Sequence, residues 1–205
     1  MTDSKPPASP RLDPLPPEHT PELKDEFDSF FKTLGFVPNS VLTMQRHPKL
    51  AKAFVQMQRA LWDPNSKVDR GFKRLLAHAA SRTAGDAYSM AHTASGALHF
   101  GIPADKLAAV SDYAASPLFT LAERAALDIA VAGSTQPNSV RDEHFAELRK
   151  YWSEAQIVEI VGVIAMAGFL ARWNMTMATP IEPEPNDVGE KHLAALGWCA
   201  GPHRR

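Results

Sequence analysis

Residues 75–101, LLAHAASRTAGDAYSMAHTASGALHFG, carry the reading of the architecture. Leu75, Leu76, Ala79 and Ala80 recur at the spacing of one helical face. Gly85 then stands where a helix can end in a left-handed residue, and Asp86 can cap the next helix with its carboxylate. That second helix is predicted to run to Phe100 and stop at Gly101. Two helices joined by a tight glycine turn form an antiparallel hairpin.

The flanking sequence extends the same pattern. The incoming helix is predicted from Ser66 through Arg82. Pro21, with Thr20 as N-cap, opens an earlier helix that stops at Gly35, and Phe36–Asn39 reads as a loop. Pro48 opens another, reaching about Trp62. Later helices start near Pro103, at Thr120, at Ser139 and at Ser153. Thr120 with Glu123, and Ser153 with Gln156, have the spacing of capping boxes. The helix from Ser153 to about Ala178 is apolar nearly all round, which places it in the core or between subunits. Pro180, Pro183 and Pro185 end the regular structure, with a short helix expected around residues 188–196. No stretch alternates with period two for long enough to read as a sheet, so the fold class is all-α. Residues 1–19 hold six prolines and read as a disordered or draped arm, residues 20–179 as the helical domain, and residues 180–205 as a tail.

Composition bounds the function. The chain of 205 residues is 44% hydrophobic and 22% charged, enough to bury a full core. A net charge of −1 gives no sign of nucleic-acid binding. The longest apolar run, Ile160–Ala171, is short of the roughly 20 residues a membrane span needs. The polar, proline-rich N-terminus is no secretory signal. One cysteine, Cys199, excludes an internal disulfide framework and fits a reducing, cytoplasmic setting.

The stretch Ser81-Arg-Thr-Ala-Gly-Asp-Ala-Tyr-Ser-Met-Ala-His-Thr93 resembles the core of the carboxymuconolactone decarboxylase family, which includes the alkylhydroperoxidase D-like proteins. Leu34-Gly-Phe-Val-Pro-Asn-Ser40 and Phe169-Leu-Ala-Arg-Trp-Asn-Met-Thr-Met177 look like the flanking landmarks of its longer peroxidase-related branch. The resemblance covers roughly residues 30–180. It implies an all-helical fold built on a helical hairpin and a symmetric homo-oligomer, a dimer, trimer or hexamer.

Redox members usually carry Ala-Gly-Cys-x-Tyr-Cys-x-x-His in this hairpin. Here Asp86 stands for the first cysteine and Ser89 for the second, while a histidine is kept as His92. In members with a glutamate proton relay, the relay position aligns with Arg74 and the histidine with Thr93. The redox chemistry needs a thiolate at a helix N-terminus, which neither aspartate nor serine supplies. Dithiol peroxidase activity is therefore expected to be absent.

Asp86, Ser89 and His92 share one helix face. They read as an acid–base group: His92 carries the proton, and Asp86 or Ser89 orients it. Arg74 and Arg82 are candidates to hold a substrate carboxylate, with His78 and Tyr88 beside them. His78 lies seven residues before Gly85 and His92 seven after, so the hairpin could bring the imidazoles to similar height. The non-redox branch of the family decarboxylates a lactone acid by proton transfer, so the resemblance points to a lyase or isomerase on a small molecule. The alternative is a catalytically silent oligomer that binds a ligand or partner. A residual option is peroxidase-related activity using an external thiol or bound cofactor. No cofactor or metal is expected. His92 and His99 are about 10.5 Å apart along the helix, too far for one ion with metal–nitrogen bonds of about 2.1 Å.

Overall fold

The computed structural model describes residues 10–204. Among them are ten α-helices and no strand: α1 (Lys24–Leu34), α2 (Asn39–Met44), α3 (Pro48–Leu61), α4 (Arg70–Ala84), α5 (Ala87–His99), α6 (Ala104–Ala108), α7 (Leu121–Ser134), α8 (Asp142–Leu148), α9 (Glu154–Met177) and α10 (Pro183–His192). The predicted hairpin is α4 and α5. Gly85 sits at φ 73°, a left-handed conformation, and its N–H and that of Asp86 return to carbonyls of the last turn of α4. Asp86 caps α5 by accepting the Ser89 N–H.

α4 lies at the centre, against α5, α7 and α9. Leu75, Leu76, Ala91, Leu127 and Ile160 are sealed where these helices meet. A smaller apolar cluster gathers Leu23, Phe27, Val41, Phe54 and Met166 under α1–α3. Both predicted capping boxes form, at Thr120–Glu123 and at Ser153–Gln156. By length and composition α9 could cross a membrane, yet it packs on α4, α5 and α7, with 39% of its most apolar window buried.

Several boundaries differ from the sequence reading. α4 starts at Arg70, capped by Asp69, because the Ser66 hydroxyl bonds Val68 and Glu159 instead. α8 starts at Asp142: the Ser139 N–H returns to the Ala132 carbonyl and closes the turn after α7. The segment read as a loop leads straight into α2, whose six residues are too short to show periodicity but are all buried. Residues 10–19 of the arm are draped over the domain, with Arg11 bonding the Met175 and Thr176 carbonyls; residues 1–9 lie outside the described part.

The C-terminal segment departs most. It does not end the regular structure at Pro180. Ala178 takes a left-handed conformation (φ 48°) and turns the chain back, and α10 begins at Pro183, where a first helical turn tolerates proline. α10 packs along α5. Trp198 lies flat against Gly189, where a side chain would collide with its ring, and its indole N–H donates to the Ala87 carbonyl (3.0 Å).

Candidate functional site

The site forms where the C-terminal segment crosses the first turns of α5. His92 Nε2 donates to Glu182 Oε2 (2.6 Å). The other oxygen, Oε1, accepts the Asn39 N–H (2.5 Å) and the Tyr88 hydroxyl (2.9 Å). Each element has a local reason. Pro38 ends the loop and opens α2, which aims the Asn39 N–H outward from a helix start. Tyr88 and His92 are one turn apart on α5, so their rings stack at 4.4 Å, and Phe36 meets His92 edge-on at 6.0 Å.

Burial alone would raise the Glu182 carboxyl, but the neighbouring His92 and the donated hydrogen bonds outweigh it and hold the group below the usual glutamate range. Glu182 is therefore ionised at neutral pH, and it fixes the His92 tautomer by accepting the hydrogen bond from Nε2–H. Nδ1 makes no hydrogen bond among the described residues, and the His92 side chain is 16% exposed. Burial, then the charge on Glu182, pushes the Tyr88 phenol well up, so it stays a neutral donor.

A second histidine–carboxylate pair lies deeper. His203, near the chain end, approaches Asp86 Oδ1 at 3.9 Å and donates from Nδ1 to the Thr179 carbonyl (2.8 Å). Asn174 Nδ2 donates to the Ser89 hydroxyl (3.2 Å). Asp86 is fully sealed and Ser89 nearly so. Burial dominates at Asp86 and raises its pKa, against the Ser89 hydrogen bonds and the His203 charge that lower it.

These positions correct several expectations. Neither Asp86 nor Ser89 orients His92; they turn inward to His203 and Asn174, and Glu182 takes that role. His78 does not meet His92 across the hairpin: it donates to the Met90 carbonyl (3.0 Å), lies 3.2 Å from the Thr93 hydroxyl, and is buried. Burial pushes its pKa down to about 4. Arg82 is exposed at the C-terminal turn of α4, a favourable place for a cation. Arg74 packs against Gly96, one turn beyond His92, and stacks on Trp62 (3.8 Å). Tyr88 alone of the four proposed binding residues touches the His92 group. Cys199 is exposed in the tail, beside Trp198. Among the described residues no three His, Cys, Asp or Glu side chains gather as a metal site.

Glu182 and His203 escaped the sequence reading. No local signal marked them: Glu182 stands just before Pro183 at the start of α10, yet its carboxylate caps no N–H of that helix and turns to Asn39, Tyr88 and His92.

Residues 48–132 match the model of the carboxymuconolactone decarboxylase family. The apo crystal structure of the debrominase Bmp8 superposes with a TM-score of 0.81 at 35% identity, covering 87% of this chain and 96% of that one. This chain belongs to the carboxymuconolactone decarboxylase family. A cysteine-to-alanine variant of the same debrominase, in complex with 2,3,4-tribromopyrrole, superposes equally well, covering 88% of this chain and 96% of that one. A peroxidase-related protein from Ralstonia eutropha JMP134 with the alkylhydroperoxidase core shares the fold at 20% identity and a TM-score of 0.69, covering 87% of this chain and 93% of that one. Among curated proteins, YnjA of Escherichia coli strain K12 is 36% identical over 78 residues, 38% of this chain and less than half (43%) of that protein. No cysteine lies in the family segment of this chain.

Proposed function

We propose that the chain is a non-redox acid–base enzyme of this family, a lyase or isomerase acting on a small cyclic organic molecule. The His92–Glu182 pair carries the reading. A carboxylate held ionised by three donors presents an imidazole whose other nitrogen is open, the arrangement a general base needs. In this scheme the isomerase moves a proton from carbon next to a carbonyl to another carbon through Nδ1, and the lyase breaks the carbon–carboxylate bond, releases carbon dioxide and delivers a proton from Nδ1 to the carbanion left behind; Glu182 stabilises the imidazolium, and Tyr88 and Phe36 pack beside the ring. The debrominase was crystallised with a compact aromatic ring, which makes such rings sensible probes. Cysteine chemistry is not part of the proposal, because no cysteine lies in the family segment and Cys199 stands in the tail.

The test is decarboxylation of carboxymuconolactone, or solvent-deuterium uptake, across a panel of small cyclic acids. His92→Ala should lower turnover at least about a thousandfold while the helical signal stays intact. Turnover unchanged in that variant removes His92 from the chemistry.

A second reading, a silent ligand- or partner-binding relative, draws on one observation. The large cleft, of about 1120 Å³, runs between the end of α4, α7 and α9, and neither His92 nor Ser89 lines it. Absence of turnover in the full panel, with ligand binding retained, favours this reading. Self-association belongs to both readings: Val158 and Val161 of α9 are 72% and 38% exposed, an apolar face that a second copy would cover. Sedimentation at micromolar concentration should show more than a monomer.

A further inference from the structure

Beyond His92, on the C-terminal half of α5, a different group of residues gathers. Arg74 lays its guanidinium over the Trp62 ring at 3.8 Å, and Arg70 lays its own over Phe100 at 4.2 Å. The two arginines are four residues apart on α4, so they are neighbours on one face. Gly96 makes the room: a Cβ there would stand 2.9 Å from Arg74 Cδ and Nε.

What is missing is an acid. Arg70 Nε, Arg74 Nε and Trp62 Nε1 are all buried without an acceptor. Neither guanidinium makes a hydrogen bond or ion pair among the described residues. Lys73, between them in sequence, has taken the nearby carboxylate: its Nζ meets Glu159 at 2.5 Å and the Leu61 carbonyl at 2.6 Å. Burial, and after it the charge on Arg70, lowers the Arg74 pKa to about 10. Two like charges held one turn apart, with their donors unanswered, oppose folding.

Stacking on an aromatic ring does not resolve this. The ring covers the face of the guanidinium and leaves its in-plane N–H edge unused, and that edge is the part that grips an oxyanion in bidentate fashion. We propose that Arg70 and Arg74, braced by Trp62 and Phe100, bind the doubly charged oxyanion group of a small molecule, a phosphate or a dicarboxylate. An anion there pairs with the terminal N–H groups of the two guanidiniums, which are partly exposed, and screens the two cations from each other. The site stands one to two turns along α5 from His92, and the proposal does not depend on the acid–base reading.

Calorimetric titration of the full chain with inorganic phosphate, and separately with succinate, at constant ionic strength tests it without any assay of turnover. Saturable binding of one or both is expected; the tighter of the two identifies the group. Arg70→Gln and Arg74→Gln should each weaken it at least about tenfold, and Gly96→Ala should weaken it by displacing Arg74. Arg149→Gln removes an equal charge elsewhere and should leave affinity unchanged. In the wild-type protein the Nε–H resonance of Arg74 should shift on saturation, a readout that survives if a variant fails to fold. No binding of either anion up to about 10 mM, or equal weakening by Arg149→Gln, overturns the proposal.

Discussion

The two histidine–carboxylate pairs are reciprocal. In one, α5 supplies the imidazole of His92 and the C-terminal segment the carboxylate of Glu182, at 2.6 Å. In the other, α5 supplies the carboxylate of Asp86 and the segment the imidazole of His203, at 3.9 Å. The same residue types thus have opposite electrostatic outcomes. Glu182 receives three donors and is held below its usual range, whereas Asp86 Oδ2 has no donor among the described residues and burial carries its carboxyl upward. A histidine at 2.6 Å, joined by two further donors, outweighs burial at Glu182, whereas one at 3.9 Å does not offset burial at Asp86.

The largest effect should come from breaking the shallower pair. Glu182→Ala leaves the Asn39 N–H, the Tyr88 hydroxyl and His92 without their acceptor, and should cost about 3–5 kcal/mol in urea unfolding. A loss below about 1 kcal/mol would mean that the pair contributes little to holding the tail.

Acid titration sharpens the contrast. His78 has a folded pKa of about 4 against about 6.5 unfolded, so the unfolded chain binds the proton first, and stability falls as pH drops from about 6.5 toward 4. The full loss is about 3 kcal/mol, and His78→Asn should remove this part of the pH dependence. Glu182, whose pKa is lowered on folding, contributes stability above its unfolded value that is lost as pH falls through its folded value, a separate step at lower pH. Asp86 has the opposite sign: its raised pKa favours folding below the unfolded value and loses that contribution as pH rises through the folded one.

Asp86→Asn therefore should cost little, within about 1 kcal/mol at neutral pH, since an amide oxygen can still cap α5 through the Ser89 N–H. A loss as large as that of Glu182→Ala would make the two pairs equivalent. The smallest change is Ala178→Gly, which relieves a left-handed alanine and should stabilise by about 0.5–1 kcal/mol in the same unfolding assay.

Legibility in the sequence followed distance along the chain. The turn at Gly85 and Asp86, the two capping boxes and the apolar α9 were readable because each depends on neighbours within a turn or two. The family resemblance extended that reading to the whole helical domain. His92 was singled out by its place in the motif. Its partner was not, since Glu182 is 90 residues away and sits among prolines that elsewhere mark the end of order. The inward turn of Asp86 and Ser89 depends on Asn174 and His203, contacts that no local pattern encodes. Arg74 was picked out as a binding residue, but its stack on Trp62 needs the connection after α3 to fold back on α4, which only tertiary packing reveals.

Ala178 carries a consequence out of proportion to its size. Its backbone handedness steers everything after α9, so that four residues later a carboxylate meets His92 and, near the chain end, an imidazole meets Asp86. A branched side chain at 178 would resist that handedness and swing the tail toward solvent, leaving the hairpin folded with its histidine unescorted. The orientation of His92 is thus governed by a methyl-bearing residue four positions before Glu182.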